Sequence, residues 1–174
     1  MTVVSDTGPL IALAKFEALH LLRDLYREVI TGPAVYTEAV TAGMAMNAAD
    51  ATALQVAYQQ GMLIVHTPSS VSTSHPDFLH VGEAESIQIA VELEAEWLLM
   101  DDLDARRFAQ RNLTAAKLST GIKGTLGVIV TAAHAQEITP NQAIDLVQAL
   151  KGRPDVWLSP ALCEVVIKTL QRLL

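Results

Sequence analysis

Short apolar runs and stretches with an apolar residue at every third or fourth position take turns along the chain, a pattern that predicts strands separated by helices. Residues 2 to 5 read as a short strand. "GPLIALAKF" and "EALHLLRDLYRE" follow as two helical stretches, with Leu19, Leu22 and Tyr26 on one stripe. A strand is predicted around Val29 and Ile30, then a helix from Pro33, a residue suited to a first turn, to about Gly43. "AADATALQVAYQQG" predicts a helix stopped by Gly61, and "MLIVH" a strand. Residues 67 to 80, rich in Ser, Thr and Pro, predict a long loop, either beside a functional surface or as a plain surface connection. "GEAESIQIAVELEA" predicts a helix, "EWLLM" a strand, "DDLDARRFAQRN" a helix and "AAKLS" a short strand. "TLGVIVTAAHAQ", "NQAIDLVQALK" and the tail from Ser159 predict helices, the tail carrying Leu162, Val165, Val166, Leu170 and Leu173 on a stripe that would cover the core or a twin subunit. The expectation is an α/β fold, a parallel sheet with helices on both faces, and neither a repeat nor a linker divides it.

At 174 residues, 51% apolar and with a mean hydropathy of +0.30, the chain supplies one domain, 1–174, with a well-filled core. Apolar runs are short and broken by charges, and the first residues lack the basic segment and cleavage pattern of a secretory signal. A cytoplasmic protein without a membrane span is expected. Cys163 alone permits no internal disulfide and reads as a small core residue. Histidines 20, 66, 75, 80 and 134 show no zinc-ligand spacing.

Acids at four places change the picture, because ligand sites of parallel sheets lie outside the carboxyl ends of the strands. Asp6 follows the first predicted strand, and Asp101 and Asp102 follow "EWLLM". If those strands are neighbours, their carboxylates converge on one edge. Glu83 opens a helix on the stripe continued by Ile87, Ala90 and Val91, and Glu38 lies among Ala34, Val35 and Ala42. Charges are rarely buried without partners, and a hard divalent cation such as Mg²⁺ or Mn²⁺ is a suitable partner for clustered carboxylates. Bland alternatives stay open: Asp6 would cap a helix, Glu83 would favour a helix N-terminus, Glu38 would be a solvated helix residue, and Asp101 and Asp102 would cap the next helix, with Asp104 facing water.

"VVSDTGPLIALAK", "GPAVYTEAV", "GEAESIQIAVELEAEWLLMDDLDARR" and "KGTLGVIV" resemble the PIN-domain family, in particular its prokaryotic stand-alone members related to VapC-type toxin ribonucleases. The resemblance covers roughly residues 1 to 136, a nuclease core, and leaves 137–174 as less diagnostic C-terminal helices. It implies a three-layer sandwich and a Mg²⁺- or Mn²⁺-dependent ribonuclease with several acids in one pocket. Asp6 matches the family's acid after the first strand, with Thr7 as its usual neighbour, and Glu38 matches the glutamate of the following helix. Glu83 stands where many members have an aspartate, one methylene shorter. Asp102 best matches the acid after the later strand, with Met100 in place of a usual threonine, Asp101 as a competing assignment and Asp104 as an auxiliary acid. Glu85, two residues on and on another side of the helix, ranks below Glu83. The resemblance thus implies catalysis by Asp6, Glu38, Glu83 and Asp102, with metal held among Asp6, Asp102, Glu83 and Asp101.

The net charge of −7 is unfavourable for a polyanion, yet residues 105 to 136 hold Arg106, Arg107, Arg111, Lys117 and Lys123 and no acid. This +5 segment in an otherwise −12 chain suits RNA phosphates, or is an ordinary solvated face. Together with the resemblance this predicts a metal-dependent endoribonuclease with RNA as substrate, and the resemblance implies the toxin of a toxin–antitoxin pair or a close relative of one, with an antitoxin protein as partner and a homodimeric state. The alternative is a catalytically inactive PIN-like module that binds nucleic acid or protein. A phosphoaspartate enzyme fits less well, since it would want a second aspartate at position 8, which is Gly.

Overall fold

A computed structural model describes residues 1–69, 76–156 and 158–173. The strands are β1 (Val3–Ser5), β2 (Val29–Thr31), β3 (Leu63–Val65), β4 (Trp97–Leu99) and β5 (Gly121–Lys123). They form one parallel sheet in the order β3-β2-β1-β4-β5. The helices are α1 (Thr7–Lys15), α2 (His20–Tyr26), α3 (Pro33–Tyr36), α4 (Gly43–Ala45), α5 (Ala49–Gln59), α6 (Val81–Glu92), α7 (Leu103–Ala115), α8 (Thr125–His134), α9 (Pro140–Lys151) and α10 (Pro160–Gln171).

The pleat sorts the sheet into two faces, because successive side chains point to opposite sides. Val3, Val29 and Leu99 enter a core with α1, α2, α5, α8, α9 and α10. Val4 and Leu98, joined by Ile30 and Ile122 at its margin, enter a second core with α6 and α7. Register agrees, with Val4 opposite both Ile30 and Leu98, and Leu98 opposite Ile122. The result is the expected three-layer α/β sandwich.

Strand order reverses at the centre. From β1 the chain moves outward to β2 and β3, then returns to the other side of β1 as β4. Ligands bind at such a switch point, in the crevice outside the carboxyl ends of the two central strands. Here that crevice lies beyond Ser5 and Leu99, and the Asp6 amide donates to the Leu99 carbonyl at 2.9 Å, tying the two strand ends together.

Several local expectations are corrected. The strand expected at "AAKLS" lies instead at Gly121–Lys123: α7 runs on to Ala115, and Lys117 takes a left-handed turn at φ 60° that ends it. Gly121 is where β5 can pass under the Trp97 ring, whose atoms would overlap any Cβ at that position. The helix expected over 33 to 43 is present and runs unbroken from Pro33 to Ala45, but with a π-helical turn, Thr37–Ala42, between α3 and α4. The tail's buried stripe is Cys163, Ile167 and Leu170, so Leu162 and Val165 face outward at 47% and 59% exposure, and Leu173 is exposed as well. Part of the expected 67–80 loop, residues 70–75 including His75, lies outside the described residues, and the described parts on either side hold no helix or strand.

Candidate active site

Asp6 ends β1 and stands at the N-terminus of α1, only 6% exposed. Its side chain makes no N-capping hydrogen bond to the second or third amide of α1, and the backbone group that favours its charged form is the adjacent Thr7 amide. Next to it, Thr7 donates its hydroxyl to Glu38 Oε2 at 2.9 Å. Glu38 is more exposed than its apolar neighbours implied, because it lies in the π-helical turn, which resets the helical phase after Tyr36. Its carboxylate nevertheless reaches the edge of the sheet. A methyl group at Gly82, the second residue of α6, would sit 3.6 Å from both Asp6 Oδ1 and Glu38 Oε2 and 3.4 Å from Val35 Cγ2. The missing side chain leaves room for a methyl-sized group within reach of a carboxylate oxygen from each acid.

The other acids are brought to the same edge, and the fold already uses each of them. Glu83 is buried, and its Oε2 accepts from the His80 amide at 2.8 Å, closing the first turn of α6. Asp101 accepts from the Thr125 amide at 2.7 Å through Oδ1 and from the Thr125 hydroxyl at 2.6 Å through Oδ2, so both oxygens hold the start of α8. Asp102 is exposed and caps α7 by accepting from the Ala105 amide at 2.7 Å. Asp104 is solvated and pairs with Arg107 at 3.0 Å. Glu85, ranked below Glu83, points the other way: its Oε2 accepts from the Ala34 amide at 2.8 Å and caps α3 from a neighbouring helix. Gly32 makes this contact possible, since a Cβ there would lie 2.5 Å from that oxygen.

Burial pushes the Asp6 carboxyl up to about 7, and the charges of Glu83, Glu38 and Asp101 push the same way, partly offset by the Thr7 amide. Glu83 is raised by burial and by Asp102, against the His80 amide. Asp101 is raised by burial, although Thr125 and Arg106 counter it. Mutual repulsion of this kind means that the acids share one electrostatic environment. Arg106 offsets part of that charge at Asp101.

The PIN-domain family model matches residues 2–172, nearly the whole chain. The chain belongs to the PIN-domain family. No curated protein and no solved structure matches it. PIN domains are generally nucleases and typically use divalent metal ions. Whether this PIN domain's residues suit such an ion is a matter of donor type and space. The donors are carboxylate oxygens, as hard cations require, and the absence of a side chain at Gly82 leaves Asp6 and Glu38 oxygens each 3.6 Å from the same point. Among the described residues no group of three or more His, Cys, Asp or Glu is set to hold a metal ion. Mg²⁺ is commonly held by one or two carboxylates with several waters, so a pair of carboxylate oxygens fits it.

Of the PIN domain's five expected phosphate-binding residues, three lie on α7 beside this edge. Arg106 is half-buried and its Nη1 lies within 3.4 Å of where a Gly124 Cβ would be, next to Asp101. Arg107 and Arg111 are exposed. Lys117 lies past the far end of α7, which at about 1.5 Å per residue carries it well away from the acids. Lys123 is turned into the molecule, with Nζ 3.8 Å from the Trp97 ring centroid and donating to the Thr131 hydroxyl at 2.9 Å. Lysine at the end of an edge strand reads as solvated from sequence; here Gly127 leaves room for its stem to pack inward.

Three contributors carried no signal as acids or bases: Gly82, Thr125 and the π-helical turn. Thr125 and Gly124 belong to "KGTLGVIV", whose Gly-Thr pair directly after β5 marks a helix start that a carboxylate can hold. Among the described residues no helix is long and apolar enough to cross a membrane.

Proposed function

We propose that this PIN domain is a Mg²⁺- or Mn²⁺-dependent endoribonuclease that hydrolyses RNA phosphodiester bonds. The observation that carries the reading is the pair of carboxylate oxygens, from Asp6 and Glu38, within reach of one point beside Gly82 at the switch point of the sheet. Such an ion, when bound, supplies a polarised water and counter-charge for the phosphate. Asp6 and Glu38 would hold it, with Glu83, Asp101 and Asp102 around them adding negative charge. Thr7 fixes the Glu38 carboxylate, and Asp101 anchors α8, so the edge is preorganised. Arg106 and Arg107 supply positive charge where the RNA backbone would pass.

The test is Mn²⁺-dependent cleavage of a mixed RNA pool together with melting with and without Mn²⁺. Asp6→Asn keeps the volume and removes a charge, so it should fold, lose at least about tenfold in cleavage and lose most of the metal-induced rise in midpoint. Gly82→Ala should do likewise, because its methyl takes up that room at ordinary contact distances without disturbing α6. Wild-type rates and metal stabilisation in both variants would refute the reading.

A second reading, a non-catalytic binding module, is favoured by the fact that Glu83, Asp101 and Asp102 already accept hydrogen bonds from the fold. It predicts RNA binding with no metal-dependent cleavage by wild type. Within the nuclease reading, we place the chain as the toxin of a toxin–antitoxin pair, acting in the cytoplasm as a homodimer. The outward Leu162 and Val165 of α10 would serve as an apolar contact with a second copy or an antitoxin. A monomer by light scattering at micromolar concentration would remove the dimer.

A further inference from the structure

We propose that Phe78, braced by Phe108 and flanked by Arg111, is a stacking subsite that seats one unpaired nucleobase of the RNA whose backbone lies on the acidic edge. This rests on the nuclease reading and adds to it a site for a base, where the acids and Arg106 serve only phosphate.

Phe78 is 52% exposed, an unusual setting for a phenylalanine that a single turn would bury, since its neighbour Leu79 is buried in the core of the α6 and α7 face. The Leu79 amide donates to the Pro76 carbonyl at 2.9 Å, so the segment is turned with Leu79 inward and Phe78 outward. Its position is set by the site: His80, two residues on, begins α6 and donates its amide to Glu83. Phe108 comes from α7, the helix capped by Asp102, and is half-buried against the same core. The two rings meet edge to face, with centroids 6.2 Å apart and planes at 79°. Arg111, one turn further along α7, places its guanidinium 5.8 Å from the Phe108 ring centroid. Among the described residues Arg111 is in no ion pair, whereas Arg107 is held by Asp104.

An exposed aromatic held against a second one, next to a guanidinium, is what single-stranded nucleic acid needs: a π face for a base of any identity and a cation for its phosphate. A duplex cannot use it, because its bases are already stacked. From Asp102 to Phe108 the helix rises about 9 Å, so a strand with one phosphate at the acids can lay a neighbouring base on Phe78. Val81 and Leu103, the exposed first residues of α6 and α7, extend the apolar surface at the same mouth.

The experiment is fluorescence anisotropy of a labelled twelve-nucleotide oligouridine and a blunt RNA duplex, in EDTA so that nothing is cleaved, over a salt series. Wild type should favour the single strand. Phe78→Ala should weaken single-strand binding about tenfold, leave duplex binding and the salt slope unchanged and melt with wild type; Phe78→Trp should restore affinity. Arg111→Ala should weaken both RNAs and flatten the slope by about one. If wild type binds and cleaves RNA but Phe78→Ala binds the single strand equally well, the stacking site is refuted, the nuclease reading stands, and Phe78 is a contact for protein instead. If wild type binds neither RNA, both fall.

Discussion

Asp6 shows how one residue's surroundings decide its chemistry. Its carboxyl titrates near 7 in the fold and near 3.8 when unfolded, chiefly because it is buried and secondarily because Glu83, Glu38 and Asp101 are close. With the folded value the higher, the native state binds the extra proton between these limits. The stability tied to that proton is fully present below about pH 3.8 and is lost as pH rises through 7. Metal-free protein should therefore lose stability from pH 4 to pH 7, by up to about 4 kcal/mol from this group alone. Asp6→Asn should flatten the curve, leaving it more stable than wild type at pH 8 without metal. Denaturant unfolding of both proteins from pH 4 to 8 in EDTA checks this, and parallel curves would show that Asp6 is not the buried acid described here. The same burial and crowding are what the cation proposed at this position would relieve.

At the scale of elements, the site is assembled by helix starts. α1, α6, α7 and α8 all begin at the carboxyl edge of the sheet, and Asp6, Glu83, Asp102 and Thr125 stand at or beside those starts. Thr125 is the joint between Asp101 and α8. Thr125→Val removes the hydroxyl, keeps the shape of a buried side chain and leaves a half-buried carboxylate oxygen without its donor, which should cost about 1 kcal/mol at pH 7. Chemical denaturation measures it; a loss below about 0.5 kcal/mol would mean that the amide bond alone holds α8. Much of this layout was legible in the chain. Apolar runs of strand length and helical stripes suffice for the alternating order, and an acid directly after a strand is a strong signal because the carboxyl edge of a parallel sheet is where ligands bind. What was hidden depends on contacts between elements. The phase of Glu38 could not be read because nothing in "TEAVTA" marks a π-helical turn. "AAKLS" looked like a strand because helix ends and strand starts are told apart by what they pack on, here the Trp97 ring over Gly121. The outward face of α10 was misplaced for a similar reason, since Cys163, small and apolar, fits the core better than the larger Leu162.

For the whole molecule the decisive quantity is the uneven charge. A chain of net charge −7 repels RNA at long range, so the RNA binding proposed above would have to come from a local field, which α7 could provide beside the acids while Lys123 packs inward. Screening follows from this: the bulk repulsion and the local attraction both weaken with salt, but only phosphate contacts release counterions from the RNA. Arg106→Ala with Arg107→Ala should therefore weaken RNA binding and reduce the slope of log affinity against log salt by at most about two, because two cations are removed. The slope should fall by less than two, since Arg107 already shares its charge with Asp104 and Arg106 with Asp101. Lys117→Ala, past the far end of α7, should change neither affinity nor slope, which makes it the internal control. Binding isotherms at several salt concentrations, with metal withheld, give all three slopes. A slope lost in Lys117→Ala and kept in the arginine pair would put the RNA on the opposite edge of the sheet, away from Asp6.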